Sequence, residues 1–133
     1  MNLNVPYGIT RRLTGVKLAD ARTRVIDALR AEGFGVLTEI NVQATLKNKL
    51  GVDTAPYVIL GACNPQLAHK ALTAEPGIGL LLPCNVVVAE DGDDALVSAV
   101  SPRAMFSVVG GVEGLDTIAG DAEGRLRRAV EAA

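Results

Sequence analysis

Residues 79–100 read GLLLPCNVVVAEDGDDALVSAV. Two apolar runs flank the acidic, glycine-centred segment Glu90-Asp91-Gly92-Asp93-Asp94. A glycine between acidic residues supplies the backbone freedom of a tight hairpin turn, and the flanking runs are rich in valine, which suits a pleated surface. The reading is a strand from Gly79 to Ala89 folded back on a strand from Ala95 to Val100. A hairpin of this kind makes the sheet at least partly antiparallel. That feature decides the fold class: an antiparallel hairpin among helical segments reads as α+β.

Upstream of the hairpin, Tyr57 to Ala62 is a further apolar strand. It runs into Cys63, then Asn64 and Pro65, an N-cap followed by a proline at the first helical position, where its missing N–H costs nothing. The helix so started ends near Pro76. Earlier still, Leu18, Ala21, Val25, Ala28 and Leu29 recur at helical spacing with Arg22, Arg24, Asp27 and Arg30 largely outside the stripe, and Gly33 is the expected stop. Residues 34–40 are expected to be a strand. Asn41 then caps a short helix carrying Val42, Leu46 and Leu50, closed by Gly51. Residues 3–13 read as a first strand, with Pro6 pushing its start toward a sheet edge.

Downstream, Ser101-Pro102 repeats the cap-then-proline signal for a short helix through Phe106. Glycines 110, 111 and 114 form a connector. A last helix from about Leu115 carries Ile118, Ala119, Ala122, Leu126, Ala129 and Val130 on one face. Arg125, Arg127 and Arg128, interleaved with Asp121 and Glu123, are read as its solvated face. The expected architecture is one α+β domain over residues 1–133, a mainly antiparallel sheet with helices packed on one face. So many strand positions are apolar that the second face is expected to meet another copy of the chain, giving a homodimer.

Composition narrows the function. The 133 residues include 49% hydrophobic and 21% charged side chains, so the chain is globular. Aromatic residues are 3% with no Trp, which leaves no stacking platform for single-stranded nucleic acid. A net charge of -2 argues against a phosphate-binding surface, so nucleic acid is not an expected partner. The start of the chain lacks the charged and apolar regions of a signal peptide, and no apolar stretch is long enough for a membrane span. The two cysteines are expected to be reduced thiols in the cytoplasm.

Those thiols are the candidate chemistry. Strict alternation along the fourth strand places Cys84 with Leu80, Leu82, Val86 and Val88, among apolar neighbours, where a small inert thiol is the plain expectation. Asn85 falls on the opposite face as a polar amide in an apolar strand, tying down an irregularity at Pro83 or lining a pocket. Cys63 precedes a helix N-cap, where backbone N–H groups favour a thiolate; the rival reading is a small residue needed at a tight junction beside Gly61 and Ala62. His69, the only histidine, falls on the outer face of its helix with Gln66, Lys70 and Thr73, opposite Leu67, Ala68, Ala71 and Leu72. A zinc site made by Cys63, His69 and Cys84 within one subunit is therefore rejected, and a ligand set shared across a dimer stays open. The phosphate-binding glycine fingerprints are absent. The glycine loop 108–114 is flanked by Glu113 and Asp116, which oppose an anion. With a single outward histidine, a Ser/His/Asp or Cys/His catalytic group is not expected.

Three blocks, GFGVLTEINVQATLKNKLGV (33–52), PYVILGACNPQLAHKAL (56–72) and IGLLLPCNVVV (78–88), resemble the family known as domain of unknown function 302. The last block, roughly 101–130, is similar only in general character. The resemblance implies a curved antiparallel sheet with helices against it, a homodimer, and a bacterial or archaeal cytoplasmic protein, with no established activity or cofactor. The family's recognisable segments match here at Gly61, Cys63, Asn64, Pro65, Leu82, Pro83, Cys84 and Asn85. The expectation is a homodimeric binding module with a small-molecule or soft-metal site near Cys63, Asn64, Cys84 and Asn85. Its rivals are a thiol-based redox sensor or enzyme using Cys63, and a structural oligomer whose cysteines only pack.

Overall fold

The hairpin is present. In a computed structural model describing residues 1–133, strand β4 (Cys84–Asp91) turns through Gly92 and Asp93 into β5 (Asp94–Val100). Gly92 takes a positive φ of 60°, as the first central residue of such a turn requires. Three further strands, β1 (Gly8–Leu13), β2 (Gly35–Asn41) and β3 (Tyr57–Cys63), complete an open sheet of order β1-β5-β4-β3-β2. Every neighbouring pair is antiparallel. β1 and β2 form the two edges, so helix α1 (Leu18–Ala31) must traverse one whole face to join them.

Pairing and pleat sort the side chains. Ile9, Ala99, Val86 and Leu60 lie side by side across four strands, with Val97, Val88 and Val58 in the adjacent rank. All are buried and form one cluster of 19 residues with Ala21, Val25 and Leu29 of α1 and Leu126, Ala129 and Val130 of the C-terminal helix α5 (Leu115–Ala132). Fully burying each large aliphatic chain stabilises the fold by about 1.5–3 kcal/mol. The result is the α+β domain expected, with α1 and α5 packed on one face of the sheet.

Helix α2 (Val42–Leu50) has the expected caps: Asn41 Oδ1 accepts from the Ala44 N–H at 2.9 Å, and Gly51 is left-handed. None of its residues is buried, so the Val42, Leu46, Leu50 stripe does not enter the core. A second, smaller cluster of Ala71, Ile78, Phe106, Leu115 and Ala119 lies beyond the sheet, between α3 (Pro65–Ala74), α4 (Pro102–Phe106) and α5.

Two expected strands are shorter than read. The first begins at Gly8, not at residue 3. A turn at Pro6 and Tyr7 sends residues 1–5 back over the far face, where Leu3 O accepts from Thr10 Oγ1 at 2.8 Å and the Met1 amino group lies 3.5 Å from Asp91. That face is therefore partly covered by the chain itself, and its Ala89 and Leu96 are buried. The fourth strand begins at Cys84, not at Gly79. Residues Pro76–Leu81 form a 3₁₀ turn capped by Glu75, whose carboxylate accepts the Gly77 N–H at 3.2 Å, and the Leu82–Pro83 bond is cis. Prolines at 76 and 83 lack the N–H a ladder needs, and Gly77 and Gly79 favour a turn. Leu80 is 92% exposed, so its apparent alternation with Leu82 and Cys84 is accidental.

Candidate functional site

The strand-to-helix junction follows its local chemistry. Asn64 Oδ1 accepts the Leu67 N–H at 3.2 Å, and Pro65 occupies the first turn of α3. The end of α1 docks against this cap: Gly33 has a φ of 84°, and a Cβ there would sit 2.9 Å from Asn64 Nδ2. Only glycine meets both requirements. Capping thus aims α3 so that Leu67, Ala68 and Ala71 face back toward the ends of β3 and β4.

Between α3 and those strand ends lies an apolar cleft of about 300 Å³. Ala62 of β3 pairs with Cys84 of β4, which brings Cys63 and Cys84 onto neighbouring strand ends, and both line the cleft with Asn64. The helices contribute Phe106, Ile118 and Ala122 opposite. The cleft is the seam between the two clusters, with Phe34, Ala62 and Cys84 from the larger and Ala71 and Phe106 from the smaller. Leu72, expected on the buried face of α3, is 41% exposed, because this face borders the cleft rather than solid core.

Both cysteines are free, Cys63 half-buried and Cys84 buried. Desolvation, with a smaller contribution from the neighbouring Cys63 charge, pushes the Cys84 thiol up to about 11. At neutral pH Cys84 is therefore a protonated thiol. His69 is exposed, as its helical position predicts. Nowhere do three or more His, Cys, Asp or Glu side chains converge as metal ligands.

Asn85 is separate. One step along β4 from Cys84, it points to the far face and helps floor a trough of about 590 Å³ with Val87 and Ser98. Tyr7 and Tyr57 border this trough. Of the four residues read as one locus, three share the cleft and Asn85 does not. Leu82 and Pro83 line both recesses and form the wall between them. Gly61 is small because Thr38 and Pro83 crowd it: an added Cβ would lie 3.0 Å from Pro83 Cγ and closer still to Thr38 Oγ1.

One positioning residue escaped the sequence reading. Glu123, assigned there to the solvated face of α5, is only 8% exposed. Its carboxylate accepts from Ser101 Oγ at 2.6 Å and from the Arg103 N–H at 3.2 Å, and Arg127 lies 3.5 Å away. These bonds lock the start of α4 onto α5 and so place Phe106 at the cleft. Helical period alone contained the signal, since Glu123 is the i+4 neighbour of Ala119 in a stripe that continues to Leu126. Its charge argued the other way, but a buried carboxylate is tolerated when donors surround it.

A family model described as "Domain of unknown function DUF302" matches residues 9–133. The chain belongs to this family. Among solved structures, the DUF302 chain is similar to an uncharacterized conserved DUF302 protein from Bacillus stearothermophilus, with a TM-score of 0.87 and 29% identity over 96% of this chain and 98% of that one. No curated protein matches it. The match covers all of the sheet but Gly8, both clusters and the cleft, and leaves residues 1–8 outside the family model. No helix of this DUF302 chain is long and apolar enough to cross a membrane.

Proposed function

We propose that the protein is a small homodimeric binding module whose ligand site is the cleft beside Cys63, Asn64 and Cys84. The observation that carries this reading is the cleft itself: an apolar recess at the seam of two clusters, bordered by the residues that mark the family resemblance. Its volume sits at the lower end of the range for small-molecule sites, which bury apolar ligand surface against a few placed polar groups. The thiols act as walls. A soft metal would have two sulfurs and no third ligand nearby, and would have to displace the proton of a thiol that burial disfavours ionising. A redox role for Cys63 has the same thiol neighbour, and no histidine or charged side chain lines the cleft with it.

The dimer belongs to the same proposal. Leu80 stands almost fully exposed at the lip of the far-face trough, and Ile40 and Leu37 on edge strand β2 are also exposed. A self-complementary contact would cover them. Free cysteines fit a reducing compartment, so a cytoplasmic location is part of the reading.

Xenon under pressure tests the cleft independently of ligand shape. Methyl resonances of Leu67 and Leu82 should shift saturably in the native protein, and Ala68→Phe, which fills the recess from α3, should abolish the response. No shift in the native protein would end the binding-module reading. Stoichiometric Cu(I) uptake that disappears in Cys63→Ser would replace it with the metal site, and alkylation of Cys63 far faster at pH 7 than that of a free thiol would favour redox chemistry. Light scattering giving the mass of one chain would remove the dimer.

A further inference from the structure

The cleft's lining carries information about what it takes. No charged side chain borders it, and 13 of its 15 lining residues are hydrophobic. The carboxamide oxygen of Asn64 is already engaged in capping α3. A charged ligand would lose its hydration here without a partner, which costs several kcal/mol or more. An ionised group on the ligand is therefore disfavoured unless it projects through the open mouth.

Ring placement adds a second observation. The chain has only two Phe and two Tyr, with no Trp. Both phenylalanines border the thiol cleft, Phe34 from the larger cluster and Phe106 from the smaller, while both tyrosines border the far-face trough. A chain that builds the rest of its core from aliphatic side chains has put both phenyl rings in the lining of one recess. Two phenyl walls favour a flat ring, through edge-to-face or offset contacts, and thiol sulfurs also pack well on ring edges. A rigid ring loses less conformational freedom on binding than a flexible chain of the same size.

Resting on the binding-module reading, the geometry points to an uncharged aromatic small molecule of one or two rings as the ligand class, held between Phe34 and Phe106 against Cys63 and Cys84. The volume of about 300 Å³ accommodates a bicyclic ring with room to spare. Glu123 enters as a positioning residue, because its bonds to Ser101 and Arg103 hold α4, and with it Phe106.

Indole, neutral and bicyclic, is the probe, followed by NMR in the intact protein alongside xenon. Indole should saturate at one site per chain and move the ring resonances of Phe34 and Phe106. Phe106→Leu, which keeps an apolar wall but removes the ring, should weaken indole at least fivefold while xenon still enters. In the wild-type protein, indole-3-carboxylate should bind at least tenfold more weakly than indole. Xenon entry without saturable indole binding would overturn the aromatic assignment and leave the cleft reading intact. Equal affinity of Phe106→Leu for indole would overturn it too, and equal binding of the carboxylate would overturn the uncharged assignment. Failure of both xenon and indole would end the two readings together. Should Phe106→Leu not fold, saturable indole binding decides the aromatic assignment and the carboxylate comparison the uncharged one, both on wild-type protein.

Discussion

The two apolar clusters differ in how they are enclosed, and the difference locates the site. The larger one is sandwiched between a four-strand floor of paired β-branched residues and two long helices. The smaller one is held by short elements: α3, a 3₁₀ turn, the five-residue α4 and the first turns of α5. Where a rigid sheet meets a layer of short elements, packing is interrupted, and the interruption is the cleft. The large cluster makes the fold, and the small one makes the recess that distinguishes it from a filled sandwich.

Substitutions can break this comparison. Leu126→Ala, at a fully buried position of the large cluster, should cost about 4–5 kcal/mol in denaturant unfolding, the upper part of the range for such truncations, because the sheet beneath it cannot collapse. Leu115→Ala in the small cluster should cost less, about 2–3 kcal/mol, since short elements beside an open cleft relax into the space. Equal costs would mean that the two clusters are one continuous core.

The seam itself should respond to alkali. The Cys84 thiol is raised from 9.0 to about 11, so between those values the unfolded chain loses its proton while the folded chain keeps it. The folded state then binds more protons, and stability falls as pH rises through this window, by about 3 kcal/mol in all. Below pH 9 the contribution is flat. Cys84→Ala should remove that slope, which unfolding midpoints at pH 8, 9.5 and 11 would reveal. A wild-type slope matching the variant's would place Cys84 in water rather than in the cleft wall.

The smallest effect is expected at the tie between the layers. Glu123→Gln keeps one acceptor oxygen for Ser101 or Arg103 but loses the charge, and should cost about 1–2 kcal/mol. Hydrogen exchange should accelerate in α4 while the β4–β5 ladder stays protected. Acceleration in the ladder instead would show that Glu123 supports the sheet.

Much of this arrangement was readable beforehand where the cause is local. The caps at Asn41, Asn64 and Ser101, the stops at Gly33 and Gly51, and the turn at Gly92 each depend on a side chain bonding or a backbone angle within a few residues. The opposite orientations of Cys84 and Asn85 follow from the pleat alone. The misreadings have a common origin. Leu80 to Leu82 alternate like a strand, yet prolines on both sides and the chain's return path make a turn. Residues 3–5 read as strand but fold over the far face. Glu123 reads as surface by charge and is buried by its partners.

Local chemistry therefore specified the element types, the antiparallel hairpin and the side of the strand each thiol-bearing segment presents, because these depend on neighbours within one turn of helix or two steps of pleat. Tertiary structure alone decided that Cys63, Asn64 and Cys84 share a cleft while Asn85 faces a separate trough. It also decided that both phenylalanines meet at that cleft from different clusters. Such meetings depend on which strands pair and which helices cover them, distances along the chain that no local pattern encodes.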